Sequence, residues 1–222
     1  MSTNNINKEI FLAIRKKIIT FAANQKNTTM KYPIGIQDFE KIRQGGFVYV
    51  DKTALVYDLV SRGRIYFLSR PRRFGKSLLV STLKYYFQGC KELFKGLAID
   101  SLEKEWKEYP VFHFSFGTSN YTKSGSLDEV IDKYLSKYEE EYNISSERKD
   151  YGLRLQDILR ASHKKSGRRA VVLIDEYDKP LLDVMNTDIP SPVVAGEIKT
   201  LEDYNREVLK GFYSVFKLAD RH

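Results

Sequence analysis

A short apolar run followed by a basic turn occupies residues 65–77, which read IYFLSRPRRFGKS. The first four residues, 65–68, are apolar and β-forming, and they predict a short buried strand. Large apolar side chains recur at helical spacing from Leu78 to Phe87, so we expect a helix after the turn. A strand, a turn and a helix in this order form the context in which phosphate-binding loops occur.

The Gly75-Lys76-Ser77 turn carries side chains suited to nucleotide binding. Backbone N–H groups of the turn and of the helix start would point at phosphates, and Lys76 would reach the β- and γ-phosphates. The Ser77 hydroxyl would bind Mg²⁺, which prefers oxygen ligands. The general P-loop pattern has glycine where Arg70 stands, and a Gly-Lys-Ser sequence also occurs by chance in lysine-rich loops. The residues expected to bind the cofactor are Arg72, Arg73, Phe74, Gly75, Lys76, Ser77 and Leu78.

A second motif lies at residues 170–176, where four β-forming residues follow Ala170 and end in two acids, AVVLIDE. Asp175 would support Mg²⁺ at the end of this strand, as an aspartate does in P-loop enzymes. Glu176 would polarise the attacking water, so Glu176 and Lys76 are the expected catalytic residues. Alternatively, the two acids only end a buried strand. Together, the two motifs predict binding of ATP and Mg²⁺, and the adjacent glutamate favours hydrolysis over phosphoryl transfer.

The remaining elements alternate between strand-like and helical patterns. The run at 47–50 is strand-like, and Asp51 could cap a helix that follows it. Further patterns predict a strand at 111–116 and helices at 127–142, 153–165 and 201–218. This alternation predicts an α/β fold with a largely parallel sheet.

Composition and length limit the alternatives. The chain has 222 residues, of which 42% are hydrophobic and 30% charged, as expected for a soluble globular protein. Residues 1–29 read as an N-terminal extension, partly disordered or helical, and 30–222 as the main domain. A single cysteine, Cys90, excludes an internal disulfide framework and suits a cytoplasmic location. Three scattered histidines give no metal or nucleophile triad, and His113 is expected to pack or to lie on the surface.

The formal net charge is +8, and the excess is unevenly placed. No acid lies between Asp58 and Glu92. Such a stretch would attract a polyanion, either nucleotide phosphates or a nucleic acid, although a solvated basic face is also possible. A basic nucleic-acid-binding module is therefore an alternative function. The basic residues of the stretch are Arg62, Arg64, Arg70, Arg72, Arg73, Lys76, Lys84 and Lys91.

Four segments resemble the bacterial AAA-ATPase-like family: 31–39 (KYPIGIQDF), 49–53 (YVDKT), 66–77 and 173–180 (LIDEYDKP). The resemblance covers about residues 30 to 222 and includes the arginine and proline of the loop. It implies a P-loop NTPase fold of the AAA type, a three-layer sandwich with a mostly parallel sheet. It also implies that Lys76 and Ser77 belong to the nucleotide-binding loop, that Asp175 supports magnesium and that Glu176 is catalytic.

The same resemblance raises two further expectations. Residues 36–39 and 51–53 precede the loop, where such ATPases often hold the adenine base; a cap packed on the sheet is the alternative. Family members continue with a sensor strand and often with a restriction-endonuclease-like nuclease domain. This chain ends at His222, so it is expected to be a fragment, and an inactive remnant is a further alternative. An oligomer is possible for AAA proteins, but no interface or arginine finger can be read from the sequence.

Overall fold

The computed structural model describes residues 30–69, 71, 73–145, 147–195 and 198–218. The predicted extension at 1–29 lies outside these residues, as do Arg70 and Arg72. The described elements, in chain order, are α1 (Phe39–Gln44), α2 (Thr53–Arg62), α3 (Lys76–Phe87), α4 (Lys91–Phe94), α5 (Ala98–Leu102), β1 (Val111–Ser115), α6 (Ser126–Glu141), α7 (Tyr151–Ser166), β2 (Val171–Asp175), α8 (Lys179–Leu182), β3 (Pro190–Ala195), β4 (Ile198–Thr200) and α9 (Leu201–Leu218).

Strands β1 and β2 pair in parallel, in register from Val111 opposite Val171 to Ser115 opposite Asp175. Because successive side chains of a strand point to opposite faces, Phe112 and Phe114 are buried on one face while His113 lies on the other. Strands β3 and β4 form a separate antiparallel pair. The mixed α/β class is thus confirmed with a small parallel sheet, whereas the complete three-layer sandwich stays a prediction.

The described residues form two hydrophobic cores. The first core joins β1 to α6, α7 and α9. Its buried residues are Phe112, Phe114, Phe116, Tyr121, Leu127, Ile131, Leu135, Tyr138, Leu155, Ile158, Leu209 and Phe212. The second core is formed by the five helices α1 through α5. Its buried residues are Phe39, Val56, Tyr85, Phe94 and Ile99. Helix α3 belongs to the second core and also packs against β2 and β1, so it connects the two cores.

Local sequence explains where the long helices begin and end. Helix α7 begins after Asp150, whose side chain accepts a hydrogen bond from the Leu153 N–H, and it ends at Gly167 in the left-handed conformation. The α6–α7 contact contains a buried ion pair, with Arg154 Nε 2.8 Å from Glu139 Oε1. The side chains of Arg154 and Glu139 are only 9% and 11% exposed, so the pair fixes how the two helices meet.

The strand predicted at 65–68 is wrong. The structure has no strand there, and Ile65 and Phe67 are 66% and 71% exposed. A short apolar segment forms a buried strand only when a neighbouring strand pairs with its backbone, and no described strand pairs with this one. The strand-like run at 47–50 forms only an isolated parallel bridge between Lys31 and Phe47.

Candidate functional site

The turn before α3 has an unusual backbone. Gly75 is the N-cap of the helix with φ 75° and ψ 24°, a left-handed conformation that glycine adopts without a steric penalty. Arg73, two residues earlier, also has a positive φ, of 68°. Lys76 and Ser77 therefore stand in the first turn of α3, where backbone N–H groups have no intrahelical acceptor. These N–H groups and the helix dipole make the helix start suited to an anion.

The acidic end of β2 carries a buried carboxylate. Asp175 is 9% exposed, and its Oδ1 accepts a hydrogen bond of 3.0 Å from the Glu176 N–H. Among the described residues, no lysine, arginine or histidine forms an ion pair with Asp175. Buried charges in proteins are normally paired or coordinate a metal ion. The environment of Asp175 therefore fits a metal-supporting role.

Ser77 and Asp175 line the same open cavity of about 350 Å³, which lies between α1, α3 and the sheet. The two residues come from the two sequence motifs, which are separated by nearly a hundred residues. A serine hydroxyl and a carboxylate are both oxygen ligands, so this pair suits a hard cation such as Mg²⁺. The cavity is lined by Gly35, Ile36, Gln37, Asp38, Lys41, Ser77, Ser81, Lys84, His113 and Asp175.

The expected catalytic residues flank this cavity and are not part of its lining. Lys76 is half-buried at the start of α3. Glu176 has a positive φ of 54°, which is unusual for a residue other than glycine. Its side chain lies against Gly117, where an added Cβ would be 3.2 Å from Glu176 Cγ. The left-handed backbone therefore turns Glu176 away from the line of β2.

The other expected cofactor-binding residues are spread over different surroundings. Arg73 and Phe74 are exposed, and Phe74 is 64% accessible. Leu78 packs on the second core, so only its backbone N–H can face a ligand. Arg72 lies outside the described residues. The roles of all these residues stay predictions.

A ring contact connects the irregular segment before the loop to the acidic turn. The rings of Phe67 and Tyr177 lie 5.3 Å apart, edge to face. Such pairs contribute about 0.5–1.5 kcal/mol beyond the burial of their area. Because Tyr177 directly follows Glu176, this contact holds the start of the loop region close to the end of β2 even though 65–68 forms no strand.

Sequence reasoning did not associate Lys41, Ser81 or His113 with this site, and it named Lys84 only as one of the basic residues of the acid-free stretch. Ser77, Ser81 and Lys84 lie at helical spacing on one face of α3, and this periodicity was a usable signal. For His113 there was no local signal, because only the pairing of β1 with β2 brings it to the cavity. Burial lowers the pKa of His113, and the nearby Lys84 charge acts in the same direction.

Comparison with known proteins shows that residues 33–222 match the model of a family described as "Predicted AAA-ATPase". The chain belongs to the AAA-ATPase-like family. A relative from Azotobacter chroococcum mcd 1, named "Uncharacterized protein in vnfD 5'region", is 40% identical over 193 residues, which are 86% of this chain and 35% of that protein. The chain thus spans about a third of the length of that relative. No solved structure matches the chain.

Membership of the AAA-ATPase-like family supports nucleotide binding in general and agrees with the resemblance seen in the motifs. Across the part of the chain that the structure describes, no helix is long and apolar enough to cross a membrane.

Proposed function

We propose that this AAA-ATPase-like chain binds ATP together with Mg²⁺ and hydrolyses the γ-phosphate. The observation that carries the proposal is that Ser77 and Asp175 line one cavity, at the start of a helix that follows a left-handed glycine. Asp175 is buried without a cationic partner among the described residues, so a bound cation would supply the missing counter-charge.

Each residue has a role that follows from its place. The first N–H groups of α3 and the Lys76 ammonium bind phosphate oxygens, while the Ser77 hydroxyl and the Asp175 carboxylate hold the metal side. Bound Mg²⁺ would neutralise charge on the phosphates. Glu176 orients a water and accepts its proton as the water oxygen bonds to the terminal phosphorus and the bond to the leaving phosphate oxygen breaks. The left-handed backbone of Glu176 is the kind of local strain that clusters at functional sites.

The proposal is tested by calorimetric titration of the full chain with ATP, in the presence of Mg²⁺ or of EDTA. We expect Lys76→Ala to weaken ATP binding at least tenfold and Asp175→Asn to remove the dependence on Mg²⁺. Lys91→Ala, at an exposed lysine that does not line the cavity, is the matched control and should bind as the parent does. Unchanged affinity in Lys76→Ala would overturn the assignment of the loop.

Hydrolysis is tested separately. Glu176→Gln keeps the size of the side chain but removes the base, so ATP binding should persist while phosphate release falls by about 10²–10⁴-fold. Glu207→Gln, at an exposed position of α9, serves as the control. A Glu176→Gln variant that turns over ATP at the parent rate would show that another group activates the water.

A further inference from the structure

A short loop after β1 lies beside Glu176, outside the lining of the cavity. The loop, residues 116–121, has the sequence FGTSNY and follows β1 directly. At Gly117 an added Cβ would lie 3.2 Å from Glu176 Cγ and 3.7 Å from Glu176 Cβ. The loop backbone therefore forms one wall of the space that the Glu176 side chain occupies.

The two ends of the 116–121 loop are joined to each other and to β2. The Phe116 N–H donates to the Asp175 carbonyl at 3.1 Å, which carries the hydrogen bonding of β1 with β2 one residue past the strand. The Tyr121 hydroxyl donates to the Phe116 carbonyl at 3.0 Å, and both of these side chains are buried. The ends of the loop are thus fixed, whereas the residues between them are mostly exposed.

Lys179 and Asp183 hold the loop from the side of α8. The Lys179 ammonium donates to the Ser119 carbonyl at 2.8 Å and pairs with the Asp183 carboxylate. The same carboxylate oxygen, Asp183 Oδ2, accepts a hydrogen bond of 3.2 Å from the Tyr121 N–H. Both side chains of the ion pair are 23% exposed, so water and salt screen it less than they screen a fully exposed pair. One ion pair thus binds the loop backbone at two points.

Lys179 also contacts the backbone of Glu176 itself. The Lys179 N–H donates to the Glu176 carbonyl at 3.0 Å. Lys179 thus fixes the backbone of Glu176 through its own N–H, and it fixes the loop beside Glu176 through its ammonium group. Glu176 forms no ion pair with any residue in the described ranges, so its backbone and its packing determine where its carboxylate points.

We propose that Lys179, paired with Asp183, is a positioning residue that holds the 116–121 loop where it keeps Glu176 aimed at the attacking water. Lys179 does not line the cavity, so it acts through the loop and not through contact with the nucleotide. This inference rests on the proposed function, since it needs a Glu176 that activates water. A displacement of about 1 Å in a catalytic site can cost about 10²-fold in rate, so a loosened loop should have a measurable effect.

The kinetic test compares Lys179→Met with the parent in the full chain, and it measures turnover of Mg²⁺-ATP separately from affinity. Methionine keeps most of the length of the side chain but removes the ammonium group. We expect turnover to fall about 10²-fold while the affinity stays within about twofold of the parent value. Asp183→Asn, which keeps the shape of the partner but removes its charge, should lower turnover in the same direction. Parent-like turnover in Lys179→Met, or a loss confined to affinity, would overturn the inference.

The matched control is Arg206→Met. It removes an i,i+4 ion pair within α9, between Arg206 and Glu202, and it should keep the parent values of both turnover and affinity. A loss of turnover in Arg206→Met as large as that in Lys179→Met would show that the effect comes from removing any such pair, and it would refute a specific role of Lys179.

Two further measurements separate positioning from a general loss of structure. In the Glu176→Gln background, Lys179→Met should lower the residual turnover no further, because the residue that it positions is already inactive. An equal loss in both backgrounds would show that Lys179 does not act through Glu176. Without nucleotide, hydrogen exchange of the Tyr121 N–H should be about tenfold faster in Lys179→Met than in the parent, and unchanged exchange would refute the role of Lys179 in holding the loop.

These measurements also distinguish failure of this inference from failure of the proposed function. A parent that binds ATP without hydrolysing it would overturn the proposed function and this inference together, whatever the exchange of the Tyr121 N–H shows. A parent whose hydrolysis depends on Glu176 but is unaffected by Lys179→Met would overturn this inference alone.

Discussion

Replacing Glu176 with glycine should remove hydrolysis and yet make the protein slightly more stable. Glu176 has a φ of 54°, and a residue with a Cβ in the left-handed region costs about 1–2 kcal/mol relative to the usual helical conformation. Glycine removes that cost but makes the unfolded chain more flexible, which offsets about 0.4–1 kcal/mol. The expected net change is a gain of about 0.5 kcal/mol in the free energy of unfolding.

The assay is urea unfolding followed by the fluorescence of Trp106, which packs on the second core. The control is Glu207→Gly, in the interior of α9, where φ is helical and glycine should lose about 0.5–1 kcal/mol. The two glycine variants should therefore differ by about 1–1.5 kcal/mol, which is large enough to measure in one experiment. If Glu176→Gly is destabilised as much as Glu207→Gly, the backbone at Glu176 is not strained and the argument from its conformation fails.

Three other predictions follow from the same structure. Gly75→Ala should cost about 1 kcal/mol in urea unfolding and weaken ATP binding, because φ is 75° although an added Cβ meets no atom within 4 Å; an unchanged midpoint would contradict the left-handed turn. Burial alone would raise the pKa of Asp51, but hydrogen bonds from Thr53 and from the start of α5 lower it below its usual value. The charge therefore stabilises the fold above about pH 4, and the difference in unfolding free energy between the parent and Asp51→Asn should narrow as the pH falls below about 4. A difference that does not change with pH would contradict the shift. Arg154→Ala should destabilise by about 3–5 kcal/mol, since it leaves the Glu139 carboxylate, 11% exposed, without its partner; a loss below 1 kcal/mol in urea unfolding would show that the pair is not structural.

The elements that the sequence predicts correctly are those whose local pattern agrees with their burial. Alternation predicts β1, and β2 is a run of β-forming residues with its acid at the end; both lie within one residue of the expected bounds. Helices α6, α7 and α9 have long amphipathic patterns, and their observed bounds differ from the expected ones by two residues at most. The β3–β4 pair was not expected, because Pro190 and Pro192 argue against a strand.

The site could be predicted only in part, for a physical reason. Ser77 and Asp175 stand at the ends of elements that the sequence itself predicts, so their chemistry can be read from the motifs. Lys41 and His113 reach the same cavity only through packing of α1 on α3 and pairing of β1 with β2. The prediction of a nucleic-acid partner rested on an acid-free basic stretch, and it stays a prediction; within that stretch Arg62 pairs with Asp58 at 2.7 Å.

The position of the cavity explains how two motifs far apart in sequence can act together. Ser77 belongs to α3, whose side chains pack in the second core, whereas Asp175 ends β2, which packs against the first core. A cation bound between Ser77 and Asp175 would contact residues attached to both cores at once. A ligand that binds only the folded protein stabilises the fold by mass action. The buried charge of Asp175 and the strained backbone of Glu176 each lower the stability of the free protein. A bound cation would offset the cost of the buried Asp175 charge directly, so the feature that is unfavourable without ligand is also the one that favours binding.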